Sequence, residues 1–101
     1  MMYTERISLK SQIVQSEENI VSDMDGEKVM LNVQKGKYYN LGQTGGEIWE
    51  LIKTPIMVTE LVSTLLSKYN IERIDCEEQV LSFLDCLFQE GLIQIKGQSN
   101  R

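Results

Sequence analysis

Lys28-Val29-Met30-Leu31-Asn32-Val33-Gln34-Lys35-Gly36-Lys37-Tyr38-Tyr39-Asn40-Leu41-Gly42 decides how this chain reads. Lys28 to Val33 alternates, with Val29, Leu31 and Val33 on one face and Met30 and Asn32 on the other. That is the period of a half-buried strand. Gln34-Lys35-Gly36-Lys37 reads as a turn, and Tyr38-Tyr39-Asn40-Leu41 as a short aromatic strand. With Lys35-Gly36 at the turn centre, Val33 opposes Tyr38 and Leu31 opposes Asn40. Tyr39 and Leu41 then share a face with Met30 and Asn32. Upstream, Ile20-Val21-Ser22 is a short β run. It is followed by Asp23-Met24-Asp25-Gly26, whose Asp-Gly pair is a strong tight-turn signal. The result is a three-stranded antiparallel meander. Ile7, Leu9, Ile13 and Val14 hint at one earlier extended segment.

Beyond Gly42 the period changes to that of helices. Thr44-Gly45-Gly46-Glu47 fits a capping box for a helix running to about Lys53 and stopping before Pro55. Its apolar residues are Ile48, Trp49, Leu51 and Ile52, with Trp49 read as a core anchor. Val58, Leu61, Val62, Leu65 and Tyr69 follow the i, i+3, i+4 pattern of a second helix over about Val58–Tyr69. Asp75-Cys76-Glu77-Glu78 reads as the capped start of a third helix, with carboxylates at its positive end. That helix runs to Glu90. Gly91 suits a left-handed cap with Leu92 behind it. Ile93 and Ile95 then alternate with Gln94 and Lys96 as a short terminal strand. The fold class is therefore α+β, a β-meander followed by three α-helices.

The chain has 101 residues, 42% hydrophobic and 25% charged, enough for one domain with its own core. Residues 7–96 are taken as that single domain, with 1–6 and 97–101 as flexible ends. The net charge is −5, and the basic residues are scattered, which argues against a nucleic-acid partner. His is absent, removing the commonest general base and metal ligand. Cys76 and Cys86 cannot build a zinc site by themselves. Ten residues apart in one helix, about 15 Å of rise, they cannot bridge each other. Unpaired cysteines point to a reducing compartment. No apolar run reaches membrane-spanning length, and the start is not a signal peptide. The reading is a soluble cytoplasmic protein with no metal, cofactor or catalytic residue.

Gly42-Gln43-Thr44-Gly45-Gly46 lacks the glycine spacing and lysine of a phosphate loop. It reads as a strand-to-helix turn in which Gly45 and Gly46 permit close packing. Cys76 and Cys86 have neither His nor a near cation to activate them. Two features carry more. On a helical wheel Phe83, Cys76, Leu87, Val80, Leu84, Phe88 and Leu81 cover roughly 160°, whereas about 100° seats a helix on a core. Either the third helix is deeply buried, or one flank of the arc lines an apolar groove. Its polar side carries Glu77, Glu78, Asp85 and Glu90, either a solvated face or a docking surface for a basic peptide. Tyr38–Leu41 either packs on the helices or is an edge strand, lacking the charge or Pro that normally guards one.

Gly36-Lys37-Tyr38-Tyr39-Asn40-Leu41-Gly42 leads into Gly45-Gly46-Glu47-Ile48-Trp49-Glu50-Leu51-Ile52. The chain closes on Cys76-Glu77-Glu78-Gln79-Val80-Leu81-Ser82-Phe83-Leu84-Asp85-Cys86-Leu87-Phe88-Gln89-Glu90-Gly91-Leu92-Ile93. In order and spacing this resembles the PqqD-like family, the RiPP recognition elements. The likeness is greatest to stand-alone members encoded with lasso-peptide biosynthesis, and it spans about Ile20 to Ile95. The resemblance implies a winged-helix-like domain without catalysis that binds the leader of a ribosomally made precursor peptide. The leader would add a strand to Tyr38–Leu41 by β-augmentation. Its apolar side chains would enter a groove between that strand and the third helix. The residues so implicated are Val33, Tyr38, Tyr39, Asn40, Leu41, Cys76, Val80, Phe83, Leu84 and Leu87, with Glu77 and Glu78 as an electrostatic rim for leader lysines. The domain would present the leader to a separate leader peptidase and onward to a cyclase. Met57 departs from the family, where a Ser/Thr cap is usual, and the arm Tyr3–Glu18 lies outside the confident match. The runner-up is a small winged-helix transcription regulator, opposed by the missing basic face. A third reading is a PqqD-type escort for another peptide-modifying enzyme.

Overall fold

Residues 7–17, 19–25 and 27–96 are described by the computed structural model. The ends expected to be flexible, 1–6 and 97–101, lie outside the described residues. The described residues form β1 (Gln12–Gln15), β2 (Asn19–Met24), β3 (Glu27–Asn32), β4 (Lys37–Leu41), α1 (Gly42–Leu51), β5 (Ile56–Met57), α2 (Val58–Lys68), α3 (Arg73–Gln89) and β6 (Ile93–Lys96). The strand-then-helix order and the α+β class are those read from the sequence. The strands make two antiparallel sheets, ordered β2-β3-β4 and β5-β1-β6.

The first sheet is the expected meander. Met24 opposite Glu27 closes its first hairpin at Asp25, which adopts the left-handed φ of 55° that a two-residue turn demands. The second hairpin differs from the reading in register. Leu31 opposes Tyr38 and Val29 opposes Asn40, a slip of two residues from the expected pairs. The cause is Asn32, a buried polar residue. Its Oδ1 accepts the Lys35 N–H at 2.8 Å, and its Nδ2 donates to Asn19 Oδ1 at 2.7 Å. Gly36, at φ 65°, donates to the Asn32 carbonyl at 2.8 Å. Val33 to Gly36 therefore form the turn, and Val33 leaves the ladder. A slip of two preserves the faces: Met30, Asn32 and Leu41 are buried and Tyr39 half-buried on the helix side.

The helix starts differ. α1 begins at Gly42 and no capping box forms at Thr44. Asn40 Oδ1 accepts the Gly42 N–H at 2.9 Å instead, so the strand supplies the cap and Thr44 falls inside the first turn. α1 ends at Leu51, two residues short of Lys53. α3 begins at Arg73, not Asp75, with Glu72 at the cap position and Asp75 in the first turn. Arg73 and Glu77 pair at 3.5 Å across one turn. α3 ends as read: Gly91 has φ 78°, its N–H reaches the Phe88 carbonyl at 3.0 Å, and the Leu92 N–H reaches Leu87 at 2.9 Å. These are the two bonds of a Schellman motif.

The second sheet was only partly legible. β1 pairs with β6 (Ile13 opposite Ile95) and with β5 (Ile13 opposite Ile56). Ser11 and Leu9 offer carbonyls to the N–H groups of Val58 (2.9 Å) and Thr59 (3.1 Å). The arm thus satisfies the first turn of α2, where Met57 makes no side-chain cap. Gln15 donates through Nε2 to the Trp49 carbonyl at 2.7 Å. Ile13, Ile48, Trp49, Ile52, Leu61, Leu65, Leu84 and Leu92 are core residues. Cys76 is buried, Cys86 exposed, and both are free.

Candidate functional site

β4 has β3 on one side and no strand on the other among the described residues. The open edge runs from Lys37 to Leu41. Tyr38 points away from the helices and is 74% exposed. Tyr39 points inward, and its hydroxyl donates to Glu90 Oε1 at 2.9 Å, just past the end of α3. Lys35 Nζ donates to the Glu90 backbone carbonyl at 2.5 Å. The Lys35 and Lys37 ammonium groups lie 3.5 and 3.9 Å from the Glu90 carboxylate. The Tyr39 hydrogen bond, then Lys37 and Lys35, hold that carboxyl below its usual 4.5. Burial, then the bond to Glu90, pushes the Tyr39 phenol up from 10.0. Glu90 therefore clasps the start of β4 to the end of α3.

At its other end β4 opens onto a cavity of about 230 Å³. Leu41 contributes one edge, and Thr44, Gly45 and Ile48 of α1 form one wall. Leu65, Tyr69 and Ile71 close it from α2 and the segment that follows. Cys76, Gln79, Val80 and Phe83 face it from α3, spaced by three and four residues as one helical stripe must be. Tyr69 is fixed in place: its hydroxyl donates to Glu47 Oε1 at 2.6 Å, and Lys68 pairs with the same carboxylate. Lys68 and Tyr69 hold the Glu47 carboxyl below 4.5, and the bond to Glu47 raises Tyr69 above 10.0. At neutral pH the wall thus carries a neutral phenol bound to an ionised acid. Burial pushes the Cys76 thiol up from 9.0, so it lines the cavity as a small neutral group.

The residues singled out from sequence are brought together unequally. Leu41, Cys76, Val80 and Phe83 meet at the cavity. Tyr38, Tyr39 and Asn40 lie along the open edge, and the Asn40 side chain is engaged with Gly42 and with Glu27. Val33 sits in the turn, 55% exposed. Leu84 and Leu87 are buried in the core. The wide apolar arc of α3 thus divides: Cys76, Val80, Leu84 and Leu87 are buried, while Phe83 is half-buried on the flank. The acidic side of α3 is partly neutralised from within, Glu77 by Arg73 and Glu90 by Lys35 of the turn and Lys37 of β4. Glu78 is exposed and has no ion pair among the described residues.

The model of the family described as coenzyme PQQ synthesis protein D (PqqD) matches residues 27–93, from the start of β3 to the start of β6. The chain belongs to the PqqD family. Two solved structures are similar to this PqqD-family chain. TbiB1 in complex with the TbiA(beta) leader peptide is 26% identical, with a TM-score of 0.72 over 86% of this chain and 99% of that one. Lasso peptide synthetase B1 complexed with the leader peptide is 23% identical, with a TM-score of 0.72 over 81% and 96%. A search of curated proteins returns no match.

Sequence reading of this PqqD-family chain missed Thr44, Gly45, Ile48, Leu65, Tyr69, Ile71 and Gln79 as cavity residues. Most of them look like ordinary helix-face positions, and only the packing of three helices turns them toward one space. Gly45 was the exception in principle, because a helix interior rarely holds two glycines without a neighbour that needs them. Among the described residues no cluster of His, Cys, Asp and Glu could hold a metal ion. No helix among them is long and apolar enough to cross a membrane.

Proposed function

We propose that this protein binds the leader segment of a ribosomally made precursor peptide of the lasso class and does no chemistry of its own. The observation that carries the reading is the open edge of β4 running beside an apolar cavity at the flank of α3. An extended peptide on that edge gains main-chain hydrogen bonds, and every second side chain turns toward the helices. The similar solved structure of TbiB1, at 26% identity, holds a leader peptide, which supports the same use here. The proposed contacts are the backbone of Tyr38–Leu41 and the side chains of Tyr39, Leu41, Cys76, Val80 and Phe83. Val33, Leu84 and Leu87 support them from the turn and the core. Glu77 and Glu78 form the acidic rim. The binding unit spans residues 7–96 and works in the cytoplasm. A separate leader peptidase and then a cyclase take the presented precursor.

The test is titration calorimetry with a synthetic leader of the cognate precursor. One-to-one binding is expected at roughly 10 nM to 10 μM, or about 7–11 kcal/mol. Heat no different from buffer would sink the reading. Amide exchange locates the site: Lys37–Leu41 should slow when leader is added. Protection confined to Asn19–Met24 would put the peptide on the opposite edge of the sheet. Purified protein should leave the precursor uncut. The family description favours one second reading, an escort for a different peptide-modifying enzyme. The modifying enzyme that co-purifies with the tagged chain separates the two.

A further inference from the structure

Glycine inside a helix is disfavoured relative to alanine because it gives up the most backbone freedom on folding. α1 carries two in succession, Gly45 and Gly46, both buried. Packing accounts for Gly46: a Cβ there would stand 2.7 Å from Cγ and 2.9 Å from Cβ of Lys28, so α1 could not lie against β3. Gly45 has a different neighbour. A Cβ on it would meet the Phe83 ring at 3.0 Å (Cζ) and 3.2 Å (Cε1). Its backbone is helical with no positive φ, so conformation does not call for glycine. Phe83 is half-buried, and both residues line the cavity. Among the other lining residues Ile48, Leu65 and Val80 belong to the buried core, and Tyr69 is tied to Glu47. Phe83 is the half-buried ring of the lining that no hydrogen bond holds, and Gly45 is what it rests against.

We propose that Gly45 is a specificity-determining residue. By letting the Phe83 ring lie back against α1, it sets the width of the cavity and so the size of the side chain admitted. This rests on the leader-binding reading for the source of that side chain, but the size filter itself does not. A dry apolar cavity of about 150 Å³ admits benzene. The cavity here, about 230 Å³, has room for one larger ring. A methyl group at position 45 makes the ring give by a few tenths of an ångström and itself takes up space at the cavity wall.

The test uses the full chain as wild type, Gly45→Ala, Phe83→Leu and the double variant. One arm titrates the synthetic leader. The other titrates toluene, p-cresol and 3-methylindole, following the methyl resonances of Ile48, Leu65 and Val80. Gly45→Ala should melt at or above the wild-type temperature, because alanine favours the helix. It should bind leader about tenfold more weakly and lose 3-methylindole before toluene. Adding Phe83→Leu, whose shorter side chain clears the new methyl, should restore both. The inference is overturned if Gly45→Ala binds like wild type. It is also overturned if all three analogues weaken equally with a lower melting temperature, or if wild type takes up none of them. Size-ordered uptake of the analogues without any leader binding leaves the filter standing and removes the leader reading.

Discussion

In the sheet β5-β1-β6 the middle strand has a partner on each side, and its Ile13 is fully buried. In the sheet β2-β3-β4, the strand ending at Leu41 has a partner on one side only and carries Tyr38 out in the open. The first sheet joins distant parts of the chain: β1 reaches β5, β6 and, through Gln15, the Trp49 and Ile52 carbonyls. The second is local, two hairpins built from neighbours in sequence. The difference separates two jobs. A strand bonded on both edges stabilises and has nothing left to offer. A strand with a free row of N–H and C=O groups is a template for another chain. Here a clasp at Glu90 holds that row at one end, and a cavity lies at the other.

The strongest way to break this comparison is Ile13→Ala. Deleting a fully buried branched side chain at the centre of the closed sheet should cost about 2–5 kcal/mol of stability. Urea melts should show it as a lower midpoint with an unchanged slope. Leader affinity, measured where the variant is still folded, should stay at the wild-type value. A large affinity loss in folded protein would mean that the two sheets are coupled.

Phe83→Ala tests the opposite half. Its ring is at the cavity and half-buried, so leader binding should weaken by about 1–3 kcal/mol. The stability cost should be below the roughly 3–5 kcal/mol of a fully buried phenylalanine. Melting and titration on one sample decide. Normal affinity in a folded variant removes Phe83 from the site.

A smaller effect is expected from Glu47, which fixes the Tyr69 wall. Its folded pKa is depressed by Lys68 and Tyr69, so its contribution is present above the unfolded value near 4.5 and is lost as pH falls through the lower folded value. Because the pair is partly exposed, Glu47→Gln should cost only about 0.5–1 kcal/mol at neutral pH. The variant and wild type should converge in stability once both are measured in acid. A gap that persists at low pH would mean that packing of the side chain, not its charge, matters.

The smallest effect concerns the rim. With Glu77 paired to Arg73 and Glu90 to Lys35 and Lys37, Glu78 and Asp85 are left without an ion pair on that face among the described residues, and Glu78 is the exposed one. Glu78→Lys should slow association of a lysine-bearing leader about two- to threefold at low salt and leave dissociation nearly unchanged. Raising salt from about 0.05 to 0.5 M should erase the difference. Stopped-flow traces indifferent to both changes would make the acidic face a solvated surface only.

The meander, the helices and the Gly91 cap were legible because each rests on local rules: alternation, 3.6-residue periodicity and the left-handed φ glycine tolerates. That Tyr38–Leu41 is an edge strand was one of two readings its unguarded aromatic run left open, and the sheet order decides for it. Other features depend on what a residue meets far along the chain. The register of the second hairpin follows from Asn32, which closes the turn onto Lys35 and Gly36 while bonded to Asn19 thirteen residues away. The cap of α2 comes from carbonyls of residues 9 and 11, which no pattern around Met57 reveals. The caps of α1 and α3 stand three residues earlier than read, at Leu41 and Glu72 in place of Thr44 and Asp75, with Asn40 Oδ1 accepting the Gly42 N–H.

By itself, then, the sequence determined the fold class, the order of the meander, the three helices and the terminal strand, and the two faces of the meander strands and helices. Those depend on periodicity, and periodicity is written in consecutive residues. Tertiary structure alone decided that β1 closes a second sheet and that α3 splits its wide apolar arc between core and cavity. It also decided that Gly45 meets the Phe83 ring at the cavity wall. Such pairings join residues tens of positions apart, and no local preference encodes which of several apolar surfaces will meet once the chain packs.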